Sequence, residues 1–281
     1  MPDSFITLNL PFPAPDLSLA VHAAGDQVVS AAIARDRLWE PFETRLVWDC
    51  LEPGAVFADV GANLGYFTIL AASRAGEGGH VFAFEPDPAN CALLRKTLDR
   101  NGLNDCVTVE EAALGAENGN AHLYLSDTNF GDHQVFATHE RRDSRPIRVL
   151  RGADYFQPRI PAIDLLKIDT QGSEFLVLSG LAAFLSEQQR PPRLLIELTP
   201  FSLREAGASG RALVELLATL QLPFWIIDHI DGRLVRSDEK ALAQWCDNVD
   251  ACEGDQGFMN IFVGAPPEGW GGTDVLHPLA L

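Results

Sequence analysis

Positive charge is scarce in this chain: 21 Lys and Arg stand against 39 Asp and Glu, a formal net charge of −18. A surface so acidic repels phosphate backbones and argues against nucleic acid as a partner unless basic residues cluster locally. No such cluster occurs, since the densest basic stretch, Arg141 to Arg151, carries Asp143 within it. Cysteine is sparse as well. Cys50, Cys91, Cys106, Cys246 and Cys252 are odd in number and include no C-x-x-C pair, which points to reduced structural thiols, a cytoplasmic setting and no zinc site. No apolar run is long enough to span a bilayer, which argues against a membrane partner. The first Lys or Arg is Arg35, so the start of the chain lacks the basic region of a secretory signal. Internal repeats and low-complexity tracts are missing too.

What is present is an ordinary globular balance, 47% hydrophobic and 21% charged over 281 residues, enough for one large domain. Residues 1–25, with Pro2, Pro11, Pro13 and Pro15, read as an extended arm. From Asp26 to Leu51 the apolar residues Val29, Ile33, Leu38, Phe42, Leu46 and Val47 take helical spacing, interrupted at Pro41. After the Pro53-Gly54 turn, strands and helices alternate. Strands are predicted at 55–60, 80–84, 107–110, 163–168, 193–198, 224–228 and 259–263, with a polar connection between the last two. Helices are predicted from after Gly65 to about Ser73, over 87–100, up to about Leu185, and over 210–220. This grammar predicts an α/β fold, a Rossmann-like doubly wound, mainly parallel sheet of seven strands. Residues 113–160 break the alternation and predict an inserted hairpin and loop on the substrate side. The expected organisation is an arm and cap helix over 1–53, a catalytic domain over 54–264 and a C-terminal tail over 265–281.

In such a sheet, ligands bind at the carboxyl ends of the strands, near the point where strand order reverses. The first strand ends in Asp59-Val60-Gly61-Ala62-Asn63-Leu64-Gly65. A dinucleotide fingerprint would need glycines where Asn63 and Tyr66 stand, and no Gly-Lys-Ser/Thr precedes the helix. There remain an acidic strand end and a two-glycine turn with room for a ligand against the backbone. The second strand ends in Phe84-Glu85-Pro86, and a carboxylate there can accept hydrogen bonds from both ribose hydroxyls of an adenosine ligand.

Together with Ala112-Ala-Leu-Gly115 and Leu166-Lys-Ile-Asp-Thr-Gln-Gly-Ser-Glu174, these motifs resemble the FkbM family of class I S-adenosylmethionine-dependent methyltransferases. The resemblance runs from about Trp39 to Thr199. It implies that Asp59, Gly61, Asn63 and Gly65 surround the methionine part of the cofactor and that Glu85 holds its ribose. It also implies that Glu111 with Ala112 lies beside the adenine, and that Asp169 lies beside the transferred methyl. In the K-I-D-x-x-G-x-E pattern Lys167, Asp169, Gly172 and Glu174 match, while Gln171 stands where many relatives have Glu. Glu174 reads as a brace for the following helix.

The expected activity is transfer of a methyl group from S-adenosylmethionine, leaving S-adenosylhomocysteine. The acceptor is expected to be a hydroxyl on a small metabolite or sugar, in secondary metabolism by the resemblance. Asp169 and His133, the latter in the loop Asp127-Thr-Asn-Phe-Gly-Asp-His133, are the candidate catalytic residues for taking up the acceptor proton. A divalent cation such as Mg²⁺ is possible but not favoured. The loop is expected to approach from the acceptor side. The stretch Trp39 to Thr44 either closes over the cofactor or packs in the core. Three alternatives stand beside this reading: an N-methyltransferase with the same cofactor site, an NAD-linked oxidoreductase, disfavoured by Asn63 and Tyr66, and a nucleotide-binding module without turnover. Oligomeric state is left open.

Overall fold

The structure, a computed structural model, describes residues 4–137 and 142–275. Arg141 of the basic stretch and residues 276–281 of the expected tail lie outside them. The chain opens with a two-stranded hairpin, β1 (Ser4–Thr7) and β2 (Ser18–Val21). The helical pattern after it resolves into α1 (Val29–Asp36) and α2 (Pro41–Cys50). The break falls where Arg37 and Glu40 adopt left-handed φ values, and Pro41 occupies the first turn of α2, where it sacrifices no helical hydrogen bond.

The main sheet then assembles from β3 (Val56–Val60), β4 (His80–Phe84) and β5 (Val107–Glu110), with α3 (Tyr66–Ala75) and α4 (Pro88–Asn101) between them. The inserted segment supplies β6 (Ala113–Gly115), β7 (Gly119–Tyr124), β8 (Ser144–Arg151) and the short α5 (Gly152–Phe156). The alternation resumes with β9 (Leu165–Ile168), α6 (Glu174–Glu187), β10 (Arg193–Leu198), α7 (Pro200–Glu205), α8 (Gly210–Ala218) and β11 (Phe224–Asp228). Last come β12 (Arg233–Ser237), α9 (Glu239–Ala251), β13 (Met259–Val263) and β14 (Gly271–Val275).

The strand order is β14-β12-β11-β13-β10-β9-β3-β4-β5. Strands β5, β4, β3, β9 and β10 are mutually parallel, and β13 inserts antiparallel between β10 and β11. The order reverses between β3 and β9, so the switch point of this Rossmann-like sheet lies between the tips Val60 and Ile168. The seven strands expected from the sequence are all present. Two more extend one edge. β12 and α9 replace what reads in sequence as a polar connection, and β14 turns part of the expected tail into an edge strand. The expected hairpin appears as β7 and β8, with β6 parallel to β8 in a separate small sheet.

Period-two alternation assigns each strand residue to one of two cores. Phe57, Val81, Ala83, Leu165, Leu195 and Phe262 pack with α2, α3 and the arm, whereas Ala58, Phe82, Phe84, Leu166, Leu194 and Ile261 pack with α5, α6 and α8. Helix α3 is buried from Tyr66 through Ala72, packed between the sheet and its neighbours α2 and α4 in a core that residues of the arm share. The arm is docked by Ser18 and Ala20, whose N–H groups donate to Asn101 Oδ1 and Thr97 Oγ1 on α4, both at 2.9 Å. Among the described residues no helix is long and apolar enough to cross a membrane.

Candidate active site

A cavity of about 520 Å³ opens at the carboxyl ends of β3, β4, β9 and β10, within the range of small-molecule sites. Its floor is the β3–α3 turn. Gly61 has φ +85°, and a Cβ there would lie 1.9 Å from the backbone oxygen of Asp169, so the tips of β3 and β9 can meet only over glycine. Gly65 serves a different purpose. Its missing side chain admits Leu94 of α4, whose Cδ1 would lie 2.1 Å from a Cβ, and Gly65 does not line the cavity. Asn63 has φ 50° and donates its backbone N–H to Glu85 Oε2 at 2.7 Å. Asp59 is 1% exposed, and its Oδ2 accepts from Thr68 Oγ1 at 2.6 Å while Oδ1 has no partner. Burial raises its pKa against the opposing pull of Lys167. Glu85, also buried, accepts from Asp87 N–H at 2.8 Å through Oε1; burial pushes it up to about 7 despite the backbone donors.

Beyond these, the structure departs from the expected cofactor contacts. Glu111 lies outside the cavity, half-exposed, paired with Arg95 at 3.1 Å. Ala112 is fully buried but is not part of the wall, which is formed there by Ala113 and Leu114. No carboxylate from this segment reaches the site.

The other end of the cavity is a polar cluster at the tips of β9 and β10. Lys167, buried, donates to Asp169 Oδ2 at 2.8 Å and lies 4.9 Å from the Phe67 ring centroid. Gln171 Nε2 donates to Asp169 Oδ1 at 2.9 Å and to Glu197 Oε2 at 2.8 Å. The amide thus bridges two carboxylates that a Glu at this position would repel. Glu40 from the start of α2 completes the cluster, and burial raises it to about 8 against the attraction of Lys167. Burial likewise raises Glu197, helped by Asp169. Glu174 does brace the β9–α6 loop, accepting from Thr170 N–H at 2.8 Å and from Gly172 N–H at 3.0 Å. Glu40 and Lys167 were the residues least readable in advance. The Trp39–Thr44 stretch reads as a closure over the cofactor or as core packing, and Lys167 matches the family pattern without a role attached to it.

His133 lines the cavity but is not set up as a base. Its Nδ1 accepts from Ser126 N–H at 3.0 Å, so in the neutral ring the hydrogen sits on Nε2, 3.9 Å from Asp87 Oδ2. The ring's one lone pair is therefore taken, and burial depresses its pKa. Asp169 accepts one hydrogen bond on each oxygen, from Lys167 and from Gln171. The loop carrying His133, expected on the acceptor side, lies against the β3–α3 turn and the segment before α1. Phe130 N–H reaches Asp26 Oδ1 at 3.3 Å, and Asn63 Nδ2 donates to Phe130 O at 3.4 Å. Burial works against the ionised form of Asp26, but hydrogen bonds from Ser30, Phe130 and Val28 outweigh it and hold its pKa low. Among the described residues no three His, Cys, Asp or Glu side chains converge in a way that could hold a metal ion.

The family model of the methyltransferase FkbM domain matches residues 59–222, more than half of the chain. The chain belongs to the FkbM methyltransferase family. The match covers the β3–α3 turn, Glu85, the insertion and the β9–β10 cluster, while Glu40 lies before it. Among curated proteins, "Methyltransferase 1" of Beauveria bassiana (strain ARSEF 2860) is 28% identical over 143 residues, covering 44% of this chain and 57% of that one. The ribosomal protein L11 methyltransferase of Chloroflexus aurantiacus is 34% identical over 88 residues, covering 30% and 26%. The chain thus spans well under two thirds of the curated relatives it matches. Among solved structures, methyltransferase FkbM from Methylobacillus flagellatus aligns with a TM-score of 0.45 and 16% identity, covering 77% of this chain and 47% of that one.

Proposed function

We propose that this chain transfers a methyl group from S-adenosylmethionine to a hydroxyl oxygen of a small metabolite or sugar. The observation that carries the reading is the unpartnered Oδ1 of Asp59, buried beside a glycine turn in the same cavity as Glu85. A buried acceptor without a donor is costly unless a ligand supplies one. The ammonium of a methionine moiety does so, and the ribose hydroxyls suit Glu85. The residues therefore fit the cofactor: Asp59 and the turn from Gly61 to Asn63 would hold the methionine part, Glu85 the ribose, and Ala113 with Leu114 an apolar base. When bound, S-adenosylmethionine supplies a methyl group activated by a positively charged sulfur.

The chain's own residues then position, shield and handle a proton. Asp169, fixed by Lys167 and Gln171, sets the geometry at the tip of β9. Alignment of acceptor and donor groups accounts for much of the rate in such a reaction. The loop around Phe130, locked to Asp26, keeps water from the site. Glu197 faces the cavity and accepts from Gln171 through Oε2, and its raised pKa suits it to receive the acceptor proton. The acidic surface supports a small, non-anionic acceptor rather than nucleic acid. The test is calorimetry with S-adenosylmethionine, S-adenosylhomocysteine and NAD, followed by transfer of a labelled methyl group to a panel of sugars and hydroxylated metabolites. Binding of the first two but not NAD, with label on oxygen, is expected. NAD binding, or label found only on nitrogen, overturns the reading.

A further inference from the structure

We propose that Glu40 and Glu197 form a charge-sensing carboxyl pair that favours the sulfonium cofactor over its uncharged demethylated product. The inference rests on the cofactor reading above and adds a role for residues outside the cofactor motifs.

The cavity is short of positive charge. Among the described residues, Glu40, Asp59, Glu85, Asp169 and Glu197 all line it, and Lys167 is the one Lys or Arg that does. Lys167 is already engaged with Asp169 at 2.8 Å. Two buried oxygens mark the shortage independently of any titration. Asp59 Oδ1 has no partner, and neither does Oε2 of Glu43, which is 1% exposed and lines a small void shared with Glu40, Lys167, Asp169, Glu197 and Asn260. Glu43 Oε1 is satisfied, accepting from Asn260 Nδ2 and pairing with His229 Nε2, both at 2.6 Å.

The groups facing the pair come from every side. Glu43 lies on α2, Tyr66 on α3, Lys167 on β9 with Asp169 just past its end, and Glu174 on α6, while Asp59 of β3 faces Lys167. All but Lys167 are acids. Glu40 meets Lys167, Asp169 and Glu43 through charge alone, and burial keeps it protonated near neutrality; Glu197 is raised in the same direction. A cation entering this space is attracted by carboxylates and expels a proton from them; an uncharged ligand does neither. S-adenosylmethionine and S-adenosylhomocysteine share their methionine, ribose and adenine groups and differ at the sulfur by one charge and one methyl. After transfer the S–C electron pair stays on sulfur, the new C–O bond replaces the acceptor O–H bond, and the proton released goes to the carboxyl pair. The cavity then keeps its net charge through turnover, and the product loses the attraction that held the cofactor.

The experiment is calorimetric titration of the full chain with each of the two nucleosides, from about pH 5.5 to about pH 6.8, below the range in which an α-ammonium titrates. Each point is measured in two buffers of different ionisation enthalpy. S-adenosylmethionine is expected to release up to one proton more than S-adenosylhomocysteine, so that the ratio of their association constants climbs toward about tenfold per pH unit. Glu40→Gln and Glu197→Gln, checked for folding by circular dichroism, should each flatten that climb. Equal proton release and equal pH slopes for the two ligands in the unaltered chain would overturn the proposal, with no variant needed. Failure of both ligands to bind would instead remove the cofactor reading itself.

Discussion

Glu85 connects ligand binding to stability at the level of a single carboxyl. Replacing it by Ala should weaken S-adenosylmethionine by about 1.5–3 kcal/mol, roughly ten- to a hundredfold, as at least one charge-assisted bond to the ribose is lost. Calorimetry that finds unchanged affinity would remove the ribose assignment. The same residue has a second effect. Its folded-state value of about 7 lies above the range of an unfolded glutamate, so between about pH 4.5 and 7 the folded chain binds more protons than the unfolded one. Stability contributed by Glu85 is therefore full at the acid end of this window and lost as pH rises through about 7. Glu85→Gln should reduce the decline by an amount on the order of 1–3 kcal/mol, read from urea unfolding at pH 5 and pH 8. Gln171 offers a complementary test. Gln171→Leu strips one donor from both Asp169 and Glu197. It should cost about 1–3 kcal/mol in chemical denaturation at neutral pH. No loss would mean that the amide contributes packing that Leu replaces rather than relief between the two carboxyl groups.

At the level of elements, the β7–β8 connection and α1 act together. Phe130 packs edge-on against His22 with ring centroids 4.8 Å apart, and its phenyl fills the space that a Cβ on Gly25 would take. Phe130→Ala should weaken cofactor binding by about 1–2 kcal/mol through loss of this clasp, roughly five- to thirtyfold. Isothermal titration with S-adenosylhomocysteine is the check, and full affinity in a folded variant would return the loop to the acceptor side. That side was the expectation from sequence, because chain order places the loop after β5 and β7 but does not say how far it bends back over Asn63. Strands fared differently. The seven strands expected are short apolar runs bounded by turns, and periodicity alone is enough to mark them. β12 escaped notice because it is a five-residue strand with Arg at its first and fourth positions. Helix α9 escaped because Glu239, Lys240, Asp247 and Asp250 dilute its apolar face, although Asp238 caps it by accepting from Ala241 N–H at 2.8 Å. Of the cavity, the β3–α3 turn and Glu85 were legible because their motifs are contiguous and end strands. Glu111 was misplaced because it stands in the turn between β5 and β6, and the wall is formed past that turn by Ala113 and Leu114. Glu40 belongs with residues more than a hundred positions away, a distance no local pattern spans.

For the whole molecule, a net charge of −18 sets a long-range repulsion that local ion pairs do not cancel. Raising ionic strength from roughly 0.02 M to roughly 0.2 M shortens the screening length severalfold and should raise the melting temperature by a few degrees. A falling melting temperature would show that specific pairs such as Arg145 with Asp87 outweigh the general repulsion.

Glu43 joins the first and last parts of the chain: its partners His229 and Asn260 lie 186 and 217 residues further on. On a ribosome, α2 emerges long before β11 and β13 are made, so its acidic face has nothing to bury against. The arm can dock on α4 as soon as that helix forms, but the contacts of Glu43 must wait until β13 has left the tunnel. A nascent chain stalled before β13 should therefore display Glu43 to solvent, and the Glu40–Glu197 end of the cavity would form later than the β3–α3 turn.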